Sequence, residues 1–276
     1  MKTFASGRTT MIAVVCALAA AFAIAAGPVA RPANGQGTAN KLSKVEVLQK
    51  AHAAYYTLQA QGLKNFQVNI EPNWKQFIDD MKRTQAPSEQ KMAVLSLIQC
   101  SVTVDSQGAA TVTPYSTDGK PIDHIADDSV SGLKQMVQGF YQTWSAMVIT
   151  SVFPDVQDTS FTMQEQSDGY LFTGSGPSAG QEFVLSKDYL LTSMKVVSGG
   201  TLVAMIPKYT KIDKGLLLTG IASDINNGAQ QIGIQIQYQL ISGFQLPTHV
   251  WFRITAPNQA PILIEMEVNK YQVNKP

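Results

Sequence analysis

Ser178 lies in Gly176-Pro-Ser178-Ala-Gly180, which has the G-x-S-x-G spacing of a nucleophile elbow. Asp188, Asp213, Asp224 and then His249 follow, so the serine–acid–histidine order of an acyl hydrolase is available. An elbow needs a strand before the serine and a helix after it. Here Gln181-Glu-Phe-Val-Leu185 alternates in hydropathy and predicts a strand. The spacing therefore predicts the glycine-rich loop of a hairpin, and a serine hydrolase at Ser178 is the least favoured of three functional readings. Gly174-x-Gly176-x-x-Ala179 fits a loose dinucleotide fingerprint, yet no helix N-terminus follows to hold a pyrophosphate. The three histidines, His52, His124 and His249, are too far apart for metal-ligand spacing. Asp79-Asp80 and Asp127-Asp128 are adjacent acids, which point in different directions on a helix and make no paired acid–base site. No catalytic residue, metal or cofactor is expected, and the chain reads as non-enzymatic.

The elements that would position any site are clearer. In Ile232-Gly-Ile234-Gln-Ile236-Gln-Tyr238-Gln-Leu240 every even position is apolar, and Gln235, Gln237 and Gln239 fill the other face of a strand. The apolar face continues as Val250, Phe252 and Ile254, then as Ile262, Ile264, Met266 and Val268. Burial contributes about 1.5–3 kcal/mol for each such side chain, so something must cover that wall. Two amphipathic helices are candidates. Ser43-Lys-Val-Glu46 is a capping box, and Leu48, Ala51, Tyr55 and Leu58 recur at helical spacing, which predicts a helix over 44–61. Val130, Leu133, Val137, Phe140, Trp144 and Met147 form the stripe of a longer helix from 127 to Phe153, stopped by Pro154.

Between these helices, 65–70 predicts a strand, Trp74, Phe77, Ile78 and Met81 a short helix, 88–97 a further helical stretch, and 98–113 a hairpin. From Thr159 turn signals recur at even spacing, which predicts an antiparallel meander of roughly eight strands. An apolar cavity is expected where Phe140, Trp144 and Met147 face Ile232, Ile234, Ile236, Tyr238, Phe252, Ile264 and Met266.

Lys2 and Arg8 precede an apolar run over 11–25 that ends in Ala23-Ile24-Ala25, the pattern of a signal peptide over 1–25. Residues 26–41 read as a flexible spacer and 42–276 as one domain. Localisation is therefore expected to be periplasmic or secreted. The net charge is +1, and loss of Lys2 and Arg8 takes it to −1 (1 − 2). No basic stripe suits nucleic acid. Cleavage would remove Cys16 and leave Cys100 alone, which excludes an intramolecular disulfide. The chain is expected to be a monomer.

Three stretches carry a resemblance. Val45 to Leu58, ending in Ala54-Tyr55-Tyr56-x-Leu58, looks like a first helix before a first strand. Phe183-Val-Leu-Ser-Lys-Asp-Tyr-Leu190 looks like a mid-chain hairpin. Tyr238-x-Leu-Ile-Ser-Gly-Phe-Gln-Leu-Pro247, with Val250-Trp-Phe-Arg-Ile254, looks like a late strand, glycine turn and leucine-proline entry. In these the chain resembles the lipoprotein-localisation (LolA/LolB-like) superfamily of periplasmic carriers and outer-membrane lipoprotein-sorting proteins. The resemblance implies an α+β fold: an unclosed antiparallel half-barrel of roughly 10–11 strands, with N-terminal and inserted helices over a concave apolar face that holds acyl chains. Strand 65–70 and hairpin 98–113 lack the arginine that the chaperone member carries among its early strands. The ligand is thus expected to be a lipid acyl chain or another apolar molecule. In the runner-up reading the helices fill the concave face, and the glutamine face meets a partner protein of the cell envelope.

Overall fold

The structure is a computed structural model and describes residues 42–76, 79, 88–122 and 124–274. The expected signal peptide, the spacer, Cys16 and the short helix at Phe77, Ile78 and Met81 lie outside the described residues. Among the described residues no helix is long and apolar enough to cross a membrane.

Among the described residues twelve strands form one antiparallel, unclosed sheet in the order β3-β2-β1-β12-β11-β10-β9-β8-β7-β6-β5-β4. The count corrects the 10–11 expected. The strands are β1 (Asn65–Pro72), β2 (Ile98–Val104), β3 (Ala110–Ser116), β4 (Phe161–Glu165), β5 (Gly169–Gly174), β6 (Gln181–Ser186), β7 (Leu191–Ser198), β8 (Thr201–Ile212), β9 (Gly215–Ile225), β10 (Gln230–Ile241), β11 (Phe244–Thr255) and β12 (Ile262–Asn274). The meander after Thr159 thus has nine strands rather than eight. Because β1 pairs with β12, the first and the last strand meet inside the sheet, third and fourth from the β3 edge. The two open edges, β3 and β4, are neighbours in sequence, joined by the connection that carries the long helix.

Three α-helices are described: α1 (Lys44–Ala54), α2 (Glu89–Leu95) and α3 (Asp127–Trp144). Ser43 and Glu46 make the capping box reciprocally at the start of α1. That helix stops at Ala54, seven residues before the expected end at 61. Tyr55 turns extended, with φ −102° and ψ 141°. The chain then becomes a strap. Tyr56 N–H donates to the Leu216 carbonyl of β9 at 3.0 Å, Leu58 N–H to Val148 at 2.7 Å, and Gln59 N–H to Ile149 at 3.0 Å. The apolar period through Leu58 is satisfied by this strap instead of by helix.

The third helix also ends early. Ser145–Ile149 winds as a π-turn, closed by Thr150 N–H on the Ser145 carbonyl at 3.1 Å. Its carbonyls at Val148 and Ile149 would be orphaned at a helix end, and the strap supplies their donors. The expected continuation to Phe153 is thereby replaced by a capped terminus.

Alternation along β10 is as expected from Ile232 to Ile236: Ile232, Ile234 and Ile236 are buried, whereas Gln235, Gln237 and Gln239 are exposed. Leu240, expected on the same apolar wall, is instead exposed where the strand runs past the core. Register sets Ile234 beside Phe252 and Phe252 beside Ile264, with Ile236 beside Val250 and Val250 beside Met266. These rows, with the inward residues of α1 and α3, form one apolar core.

Candidate functional site

The expected residues come together on one face. The Phe140 ring on α3 stands edge-on to Phe252 of β11, with centroids 5.9 Å apart. It is also stacked with Trp144 at 6.4 Å. Trp144 Nε1–H donates to the Tyr238 hydroxyl of β10 at 2.9 Å. Met147 is buried in the π-turn. Phe140, Trp144, Met147, Ile232, Ile234, Ile236, Phe252, Ile264 and Met266 are each at most 6 % exposed, and Trp144 and Met266 are at 0 %. Only Tyr238 among the ten is half-buried.

The site has a polar component that the sequence reading missed. Tyr209 on β8, Tyr238 on β10 and Tyr271 on β12 lie on alternate strands of the helix-facing side. Each stands beside a bulge. Register shifts between Lys208 and Tyr209, between Gln237 and Tyr238, and at Lys270 opposite Gln67 and Asn69. On β8 and β10 the extra residue belongs to the neighbouring strand, so the tyrosines keep the apolar phase of Met205 and Ile236. On β12 the extra residue is Lys270 itself, in the left-handed region at φ +55°, and it reverses the phase so that Tyr271 turns inward. Tyr55 and Tyr56 from the strap and Tyr141 from α3 complete a belt of phenols.

The hydroxyls are mostly engaged. Tyr55 accepts from Leu191 N–H at 2.6 Å and donates to the Tyr189 carbonyl at 3.2 Å. Tyr56 accepts from Gln245 N–H at 3.0 Å. Tyr271 donates to the Pro247 carbonyl at 2.6 Å, and the Tyr141 hydroxyl faces it. Among the described residues the buried Tyr141 and Tyr209 hydroxyls have no hydrogen-bond partner. Burial pushes the Tyr55 phenol up to about 12, above its usual value near 10. Burial also raises Tyr56, Tyr141, Tyr209, Tyr238 and Tyr271. All six therefore stay neutral at ordinary pH and act as amphipathic side chains, apolar in the ring and polar at the tip.

Chemistry elsewhere is thin. Ser178 is buried, its hydroxyl 2.9 Å from that of Ser160, and β6 rather than a helix follows it. The histidines are engaged away from it. His249 is stacked with Trp251 at 5.6 Å, and His124 faces Asp127 at 3.1 Å. His52 lies between the Ser151 hydroxyl at 2.9 Å and the Pro154 carbonyl at 3.0 Å. That last arrangement pairs a hydroxyl with an oriented imidazole. It also belongs to a row of α1 side chains that fasten the 150–161 loop, because Lys44 donates to the Asp158 and Phe161 carbonyls. Cys100 is buried, and burial pushes its thiol up to about 12, which leaves it protonated and unreactive. Among the described residues no group of three or more His, Cys, Asp or Glu could hold a metal ion. No family model matches the chain, and neither a curated protein nor a solved structure matches it.

Proposed function

We propose that the chain is an exported, non-enzymatic binding protein that takes a lipid acyl chain or another apolar ligand between α3 and the sheet. The sheet would serve as a half-barrel, with α1 and α3 lying over its concave side. One observation carries this reading: a continuous aliphatic wall from β10 to β12 is bordered, on the same face, by a belt of neutral phenols. Displaced water on the wall would supply affinity, and phenol hydroxyls would orient a polar head group. The unpartnered Tyr209 and Tyr141 hydroxyls are donors and acceptors available for that task. Native mass spectrometry with lipid extraction of the purified protein tests the reading. A stoichiometric apolar ligand is expected, and its absence from protein isolated out of its own host overturns the proposal.

A second reading has its own observation. The wall is covered by the protein's own side chains, with Trp144 and Met266 at 0 % exposure. The fold would then be a self-filled interaction module of the cell envelope, and the glutamine face of β10 would meet its partner. In that case the mass spectrum shows the bare chain, and added fatty acid leaves the melting temperature unchanged.

A further inference from the structure

The two ends of the sheet differ in a way that the core does not require. Strands β6, β8 and β10 run in one direction, so their following turns lie at one end of the sheet. Those turns are Lys187 to Leu190, Asp213-Lys214 and Ser242-Gly243. At the other end the hairpin turns are 175–180, 199–200, 226–229 and 256–261, and not one of them holds an acidic or basic residue, although Val197 is exposed there and the longer β1–β2 connection at that end carries Lys75, Glu89 and Lys91. The hairpin turns are built of Gly, Pro, Ser, Asn, Gln and Ala.

The first end carries both aliphatic side chains and cations. Leu240 is 69 % exposed, the most exposed large aliphatic residue described, and it shares the helix-facing parity of Tyr238. Leu190 is 36 % exposed. Ile212, Leu216 and Ile241 are only partly buried, and they extend the core outward to this end. Lys211 and Lys214 are exposed at the β8–β9 turn, on the hairpin next to Leu240, with Asp213 between them, whereas beside Leu190 Lys187 is paired with Glu165 and Asp188 is exposed. The phenols lie directly beneath: Tyr209 is three residues from Ile212, and Tyr238 is two from Leu240. From outside inward the order is lysine and exposed aliphatic, then phenol, then aliphatic wall.

We propose that this rim is an interaction surface for a lipid bilayer carrying anionic head groups. Exposed aliphatic tips flanked by lysines suit the boundary between head groups and acyl chains, where Leu240 and Leu190 can leave water while Lys211 and Lys214 stay among phosphates. Amphipathic phenols suit the next layer. The inference rests on the binding reading for the idea that ligand is exchanged at this end, but the surface itself is tested separately.

An environment-sensitive fluorophore placed on Ser242→Cys reports the rim, and one placed on Asn227→Cys reports the opposite end. Both use the full chain with Cys16→Ser, and Cys100 is buried. Vesicles of phosphatidylglycerol should blue-shift the probe at 242 and leave the probe at 227 unchanged. Leu240→Glu combined with Lys211→Glu and Lys214→Glu, all at exposed positions, should abolish the shift while circular dichroism stays native. Equal shifts at both ends, no shift at 242, a shift that survives the triple substitution, or an equal response to phosphatidylcholine each overturn the proposal. Protein that retains a lipid yet shows no shift at 242 keeps the binding reading and loses this one.

Discussion

Tyr209 and Tyr238 look alike in sequence but differ in energetics. The Tyr238 hydroxyl accepts the Trp144 indole N–H at 2.9 Å, inside a site where Trp144 is fully buried. Tyr238→Phe leaves that N–H without an acceptor, and an unsatisfied buried donor costs about 1–3 kcal/mol. The Tyr209 hydroxyl already lacks a partner. Its removal discards a desolvation cost and keeps the ring, which packs edge-on to Tyr55 with centroids 5.0 Å apart. Urea denaturation should therefore show Tyr238→Phe destabilised by about 1–3 kcal/mol, and Tyr209→Phe unchanged or stabilised by about 1 kcal/mol. A loss at Tyr209 equal to that at Tyr238 would mean that its hydroxyl is satisfied in solution. If a ligand head group reaches Tyr209, the same substitution weakens ligand retention while the fold gains, which separates a binding hydroxyl from a structural one.

At the scale of elements, the strap after α1 explains what was legible in the sequence and what was not. Hydropathy periods read correctly where one face is buried, as over Ile232 to Ile236 of β10, or where a capping box marks a helix start, as at Ser43. They misread the stretch after Ala54, because Tyr55 and Leu58 are buried by pairing with β9 and the π-turn, which a helical period mimics. They also missed Tyr271, because one extra residue at Lys270 reverses the inward parity of β12, and no periodicity announces a bulge.

The strap also makes a prediction. Gly215 begins β9 at φ +123°, and a Cβ there would lie 2.8 Å from the Ala54 carbonyl oxygen and 2.9 Å from Tyr56 N. Backbone cannot step aside as a side-chain tip can. Gly228 is a control: it has φ +91° and nothing within 4 Å of its Cβ position. Gly228→Ala carries conformational strain alone, about 1–3 kcal/mol, whereas Gly215→Ala adds displacement of the strap. Hydrogen exchange should accelerate at the Tyr56 and Leu58 amides in Gly215→Ala and not in Gly228→Ala. Unchanged exchange at both amides would show that the strap is not held by its approach to β9.

At the scale of the whole molecule, the sheet, the strap and α3 share one core, because β1 pairs with β12 and the belt draws its phenols from all three parts. That shared core couples ionisation to unfolding. A phenol is neutral when protonated, so burial that raises its pKa favours the protonated form in the folded state. Such a group contributes its full stability below the ordinary value near 10, and the contribution falls as pH rises through the folded value. For Tyr55 the window runs from the ordinary 10 to about 12, and Tyr209, Tyr238 and Tyr271 are raised as well, so the losses fall on the same alkaline side. The belt adds no acid sensitivity, because every member is already protonated there. The melting temperature should be flat with respect to the belt up to about pH 10 and drop steeply above it. With Tyr115, Tyr170 and Tyr189, which lie outside the belt, replaced by Phe, tyrosinate absorbance should rise in one step that coincides with loss of the circular dichroism signal, since the belt hydroxyls ionise when the core opens. Gradual tyrosinate formation in protein that keeps its fold would show that water reaches the belt in the native state. That result would favour an open, ligand-ready interior over the self-filled one.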